Sequence, residues 1–393
     1  MMKIIPVKPV PDDVYKKVGF YWYASPQDKS YIADELVVIN RDEGDAYYRA
    51  ANELYAMYVQ AGQHVIDQKL YPLLDIPPNL GEMIETSWDD DSHFHLLGRF
   101  DLAGGLDGLP IKLIEFNADT PSLIFEVALV QWLLLKHNKM KEENQYNNLY
   151  EAIKENFGRL RAQHPLLGKQ DSRIPHALFS CFEEAGEEDE NTVRLIEEIA
   201  YEAGFITGFE YVEKVFFGAE EGILDKEGNA FDYWFKLLPY EIICAYEPEL
   251  AGLLTEILRR KCCILLNPPY TLLFQSKGIM KVLWDLFPNH PLLLETDCKP
   301  LAGKKCVEKR TFSREGDNIR ILDAGGNVVS ARDGEYGSYG KIYQAWAELP
   351  TDEEGRLYQA GVFFSYEACG LGFRREKGII HNQSQFAGHY VET

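Results

Sequence analysis

Apolar residues recur at three- and four-residue spacing through residues 45–66, as Tyr47, Ala50, Ala51, Leu54, Tyr58, Ala61 and Val65. That spacing predicts an amphipathic helix ending at Gly62 or shortly after. Residues 94–101 and 111–117 read instead as two strands. Between them Gly104-Gly105-Leu106-Asp107-Gly108 is a turn-rich connection, so a hairpin is expected. The mostly apolar run from Pro121 to about His137 predicts a helix with proline in its first turn.

Farther along, His176 to Cys181 reads as a buried strand, about Thr192 to Ala203 as a helix closed by Gly204, and another strand starts near Phe205. That β-α-β order predicts a parallel sheet. Lys261 to Leu266 adds a short apolar strand and Lys277 to Phe287 a helix. The last hundred residues are strand-rich and punctuated by glycine, with a turn at Gly325-Gly326-Asn327.

Composition narrows the function. The chain has 393 residues, too many for one ordinary domain. It is 46% hydrophobic and 13% aromatic, enough for a large core without disulfides or structural metal. The net charge of −22 argues against nucleic acid as a partner, and fits a cationic ligand or a nucleotide carried with divalent metal. No apolar run is long enough for a membrane span, and the first residues do not resemble a signal peptide. Seven cysteines without a Cys-x-x-Cys pair fit a reducing cytoplasm.

Candidate chemistry concentrates on the hairpin. Period-2 geometry puts Arg99 and Asp101 on one face of the first strand, and Glu115 and Asn117 on one face of the second. Brought together, Asp101, Glu115 and Asn117 offer only oxygen ligands, a set suited to Mg²⁺ shared with phosphate oxygens. Arg99 beside them would neutralise phosphate or a developing oxyanion. The same alternation also fits a solvated sheet face. Downstream of Lys309, the turn Ser313-Arg314-Glu315-Gly316-Asp317-Asn318 can aim backbone N–H groups at phosphate, or simply close a hairpin.

The run Ile114-Glu115-Phe116-Asn117-Ala118-Asp119-Thr120-Pro121-Ser122 resembles the signature of the glutathionylspermidine synthase family, ATP-grasp ligases that join a carboxylate to an amine. Further matches follow in order: Arg99-Phe100-Asp101, Thr192 to Phe205, Phe235 to Glu241, Leu283 to Pro288, Lys299-Pro300, Ser313 to Ile319, Lys341 to Trp346 and Gly370 to Arg374. The resemblance covers nearly the whole chain. It implies an α+β, circularly permuted ATP-grasp fold with an inserted α/β pre-ATP-grasp domain. Residues 1–171 would carry the metal and catalytic strands, 172–295 the inserted domain, and 296–393 the phosphate loop and adenine hinge. It implies ATP and Mg²⁺ as cofactors, Asp101, Glu115 and Asn117 as metal ligands, and Arg99 as the catalytic arginine. ATP would be held by Lys309, Lys341, Ser313, Gly316, Asn318, Gln344 and Arg374, with the hinge near Tyr343 to Trp346. Lys299 competes with Lys309 as the ATP lysine, because Gly303-Lys304-Lys305-Cys306 looks like an insertion between them. Ser122, Glu188 and Asp189 would bind substrate, the acidic pair taking a polyamine. The implied partners are a small or peptide carboxylate and an amine. The chain begins near the synthetase, so the amidase domain that precedes it in some members is expected to be absent.

Other signals carry less. Six acids between Glu183 and Glu190 also suit a helix N-terminus, where the dipole favours them. Asn267-Pro268-Pro269-Tyr270 matches an amino-methyltransferase motif, but no glycine-rich methyl-donor loop accompanies it. His93 and His95 form a His-x-His pair without an evident third zinc ligand. A non-catalytic nucleotide- or polyamine-binding relative and a metal-dependent phosphoesterase are the rival functions.

Overall fold

A computed structural model describes residues 2–21, 31–164 and 174–392. The boundary expected at 171/172 lies outside the described residues. The helix expected at 45–66 runs over Arg41–Gln68, and Asn40 and Glu43 cap its start reciprocally. Its buried face carries Tyr47, Ala51, Leu54, Tyr58, Ala61 and Val65. Gly62 does not end it. A Cβ there would come within 2.9 Å of both Phe274 and Trp88, so glycine serves close packing in mid-helix. The stop is Lys69, in the left-handed region at φ 53°.

Two five-stranded antiparallel sheets and one four-stranded parallel sheet dominate. In the first antiparallel sheet the order is Gln385–Ala387, Glu367–Glu376, Leu357–Ser365, Gly98–Ala103, Lys112–Asn117. Strands from both ends of the chain therefore share one sheet, through pairs such as Val362 with Phe100. The second antiparallel sheet runs Thr296–Asp297, Lys341–Ala345, Cys306–Arg310, Ile319–Leu322, Val328–Arg332. The parallel sheet runs Ile264–Leu266, Tyr233–Lys236, His176–Ser180, Ile206–Phe209. Its last two strands are joined through the helix Glu187–Glu202, the expected β-α-β unit begun five residues early.

Two local departures have clear causes. The first hairpin strand begins at Gly98, not at 94. The backbone before it is tied to a side chain instead of a ladder. Asn267 Oδ1 accepts from Leu96 N at 2.9 Å and Leu97 N at 3.1 Å, and Asn267 Nδ2 donates to Leu97 O, Ala118 O and Asp119 O. The amide of the Asn-Pro-Pro-Tyr run is thus consumed in joining the ends of the hairpin. Second, Pro121 stands outside the helix expected from it. Leu123 adopts φ 72°, and helical structure runs from 124 to His137, with a π segment at Glu126–Val130. Among the described residues no helix is long and apolar enough to cross a membrane.

Candidate functional site

The hairpin register opposes Arg99 to Asn117 and Asp101 to Glu115, so all four side chains share one sheet face. Gly361, opposite Asp101 on the neighbouring strand, leaves room there, since a Cβ would lie 3.1 Å from Arg99 Cδ. Arg99, 5% exposed, grips Asp101 with two bonds, Nε to Oδ1 at 2.7 Å and Nη2 to Oδ2 at 3.1 Å. Its Nη1 donates to Ser122 O at 2.6 Å and Ser122 Oγ at 3.1 Å. Asn117 Nδ2 donates to Asp101 Oδ2 at 3.2 Å.

This face opens on a cavity of about 660 Å³. Across it lies the Cys306–Arg310 strand, whose residues Val307 and Lys309 face the cavity with Gln344. Lys309 is 4% exposed and donates to Gln344 Oε1 at 2.8 Å and to Ile114 O at 3.2 Å. Burial pushes its amine down to about 8, against the pull of Glu115. Lys277 lies 3.2 Å from Glu115 and donates to Ser313 O at 2.7 Å. Burial alone would raise the Glu115 carboxyl, but Lys277, Lys309 and Arg99 outweigh it and hold the group below its ordinary value. The turn after Phe312 puts Glu315, Gly316 and Asn318 in the left-handed region. A Cβ on Gly316 would meet Ile380 O at 2.5 Å, so only glycine fits.

At the other end, Glu188 and Asp189 reach the cavity from the first turn of the Glu187–Glu202 helix. Burial pushes Glu188 up to about 7, helped by Glu126 and Asp189 and opposed by Arg374. Burial pushes Asp189 up to about 6, helped by Glu315. Arg374 reaches from the Glu367–Glu376 strand, donating to His381 O at 2.9 Å and Ser122 Oγ at 3.4 Å, and its buried Nε has no hydrogen-bond partner.

Twelve of the expected site residues line this one cavity: Arg99, Asp101, Glu115, Asn117, Ser122, Glu188, Asp189, Lys309, Ser313, Gly316, Gln344 and Arg374. Two do not. Lys341 is on the opposite face of its strand from Gln344, where it pairs with Glu308 at 2.9 Å. Asn318 turns outward, bonding Gly334 O and Tyr336 N and so closing the loop on itself. Tyr343, in the expected hinge, also faces away and bonds Glu308 at 2.9 Å, whereas Ala345 and Trp346 line the cavity. Lys299 is exposed and off the cavity, which leaves Lys309 as the buried lysine of that pair. Lys277 lines the cavity without having been expected there, and so does the side chain of Arg314, expected only as part of the phosphate turn's backbone. Lys277 had a visible signal: Gln275-Ser276-Lys277 is a polar island between two apolar runs.

Asp101, Glu115 and the free Oδ1 of Asn117 form an all-oxygen set, which fits Mg²⁺. Among the described residues no group of three or more His, Cys, Asp and Glu is placed to hold a metal. A two-carboxylate set suits an ion that completes its shell with phosphate oxygens and water. His93 and His95 are buried and held near pKa 4 by burial, and His95 Nε2 sits 2.8 Å from both Leu97 O and Ala118 O, so this pair serves the fold.

Residues 2–392 match the family model described as glutathionylspermidine synthase preATP-grasp. A putative acid–amine ligase of Haemophilus influenzae is 29% identical over 95% of this chain and 94% of its own length. The bifunctional glutathionylspermidine synthetase/amidase of Escherichia coli is 24% identical over 86% of this chain, which spans 57% of that protein. The trypanothione synthetase of Crithidia fasciculata is 23% identical over 84% of this chain and 52% of its own length. Among solved structures, a glutathione synthetase-like effector from Globodera pallida superposes with a TM-score of 0.53 at 8% identity, covering 91% of this chain and 89% of the other. That likeness concerns the mixed helix-and-strand fold.

Proposed function

The chain belongs to the glutathionylspermidine synthase preATP-grasp family, and from that premise we propose that it is an ATP- and Mg²⁺-dependent acid–amine ligase acting through an acyl phosphate. The observation that carries this reading is the meeting, in one cavity, of a cationic loop end, an oxygen-ligand hairpin and an acidic helix end. We read the two antiparallel sheets facing across the cavity as an ATP-grasp. Its metal-bearing strands precede the phosphate loop in the chain, the order of a circularly permuted form. The parallel sheet is then the inserted pre-ATP-grasp part, with divisions at 1–171, 172–295 and 296–393.

In this reading Ile114, Leu294, Val307, Ile319 and Ile321 enclose the base between the sheets. Lys309, Lys277 and the Ser313–Gly316 backbone meet the phosphates, so Lys277 takes the place expected for Lys341. Asp101, Glu115 and Asn117 would hold Mg²⁺, which supplies charge neutralisation on the phosphates. The acid's carboxylate lies at Ser122 and Arg374. One carboxylate oxygen bonds to the γ-phosphorus as the bond to ADP breaks. The amine nitrogen then bonds to the carbonyl carbon, and phosphate leaves with that oxygen. Arg99 offsets the repulsion of the two anions and then the tetrahedral oxyanion, with Asp101 fixing the plane of its fork. The ammonium is drawn to Glu188 and Asp189, and it must lose a proton before attack. A carboxylate with pKa about 7 is suited to accept it. A peptide acid with a polyamine, or another amine, is the substrate pair that the relatives' names and the acidic end together favour.

The test is ADP release from ATP and Mg²⁺ across a panel of peptides and amines. The expected result is release that requires one acid and one amine together, with an amide product. Phosphate release that needs no amine, or nucleotide binding without turnover on any pair, would overturn it.

A further inference from the structure

Four charged side chains form a buried series behind the phosphate turn. Asp119, just after the second hairpin strand, and Lys236, at the end of the Tyr233–Lys236 strand, are fully buried and pair at 2.9 Å. The other oxygen of Asp119 accepts from Tyr240 N at 3.2 Å, at the first residue of the helix Tyr240–Tyr246. Lys236 Nζ also donates to Leu238 O at 2.6 Å and lies 3.5 Å from the centre of the Tyr240 ring. The next residue, Glu241, has a side chain 1% exposed and forms an ion pair with Arg314. Arg314 follows Ser313 in the phosphate turn and lines the cavity.

The signs alternate, so the series is neutral as a whole; Asp119, Lys236 and Glu241 are withdrawn from water, and Arg314 is 21% exposed at the cavity. It runs from the metal-bearing hairpin, through the parallel sheet and its helix, to the turn on the opposite sheet. The second oxygen of Glu241 is buried and has no hydrogen-bond partner. A buried carboxylate with one oxygen unpaired is a costly way to fill space. Its hydrogen-bonded contact with Arg314 accounts for its presence there. The turn is also held by Lys277 on Ser313 O and by Arg332 on Asp317, but Arg314 is its side chain paired with the helix behind, and the neighbouring Glu315 is exposed.

We propose that Glu241 is the positioning residue of the phosphate turn: acting through Arg314, it holds residues 313–318 against the far wall before nucleotide arrives and aims that guanidinium into the cavity. The inference rests on reading the turn as a phosphate loop, and its test is separable from that reading. In the nucleotide-free full chain, glutamyl endopeptidase cleavage after exposed Glu315 reports opening of the turn. Glu241→Gln and Arg314→Gln are each expected to speed cleavage at that bond about tenfold, the factor for a lost charge-assisted hydrogen bond. The double variant is expected to be no faster than Arg314→Gln alone, because Glu241 acts on the turn through that guanidinium. Wild-type cleavage in Glu241→Gln, or additive effects in the double variant, would overturn the proposal. If Glu241→Gln is cut throughout because it does not fold, Arg314→Gln decides alone. Faster cleavage confined to Glu315 supports the proposal, and an unchanged rate refutes it. Binding of a non-hydrolysable ATP analogue is measured in parallel. Its failure in the wild type would remove the phosphate-loop reading and leave the positioning result standing.

Discussion

The two ends of the cavity hold ionisable groups displaced in opposite directions, the lysine of one end buried and the carboxylates of the other at the cavity's mouth. At the loop end burial draws Lys309 down to about 8; at the helix end burial drives Glu188 and Asp189 up to about 7 and 6. The cause is the same in both places, a charge taken out of water without full compensation. The remedy differs in sign. The loop end gains from anionic phosphates and the helix end from an ammonium. The ends also differ in how their charges are held. Lys277 and Lys309 are fixed by hydrogen bonds to Ser313 O, Ile114 O and Gln344. Glu188 and Asp189 lie in the first turn of a helix, where the dipole supplies part of the compensation. A site built this way should lose phosphoryl transfer when the loop end is altered, and use of the amine when the helix end is altered.

The largest expected effect is at Glu115, the anion beside both buried lysines. Glu115→Gln should lower ADP release by more than about a thousandfold, the upper range for removing one electrostatic element of a transition-state site. Thermal unfolding should be little changed, and an active variant would break the comparison at its centre. Next is Arg99→Lys, which keeps the charge but loses the fork on Asp101. We expect kcat to fall roughly a hundred- to thousandfold while nucleotide affinity changes much less. A kcat within twofold would make Arg99 a structural residue.

Smaller and different in kind is Glu188→Gln. It should raise the KM for the amine about tenfold through loss of a charge-assisted contact, lower kcat through loss of the proton acceptor, and leave ATP affinity as it was. The pH dependence has a definite sign. A carboxyl with a pKa of about 7 is neutral below that pH, so the amine's KM should rise as pH falls through the window from about 7 to 6. The variant should flatten that rise, as kinetics at pH 5.5 and 8 would show. The smallest effect is expected at Lys341, outside the cavity. Lys341→Met should shift nucleotide affinity by less than about twofold, as surface substitutions commonly do. A loss as large as that of Lys309→Met would return Lys341 to the site.

What was legible in the sequence follows from how far each signal had to reach. Arg99, Asp101, Glu115 and Asn117 were legible because alternation within a strand fixes the face, and the glycines between the strands close the hairpin. Gln344 and Lys341 lie three residues apart on one strand and so face opposite ways. Which of them meets the cavity is set by pairing with Cys306–Arg310, which a single strand does not record. Lys277 reaches Glu115 only because two distant segments pack together. The end of the long helix was misplaced at Gly62 because a glycine inside a helix is a stop signal unless another chain segment crosses there, as Phe274 does. The strand start was misplaced because Asn267, far along the chain, takes over the backbone of Leu96 and Leu97.

The central claim is that one cavity takes phosphates at its cationic end and an ammonium at its acidic end. The direct measurement is ADP release, with a supporting acid fixed, against amines matched in size but differing in charge, in the wild type and in the Glu188→Gln, Asp189→Asn double variant. The account expects a dication to be used far better than its neutral isostere by the wild type. The double variant should lose that preference while binding ATP with unchanged affinity. Equal use of the neutral isostere by the wild type, or a loss of ATP affinity in the double variant, would contradict it.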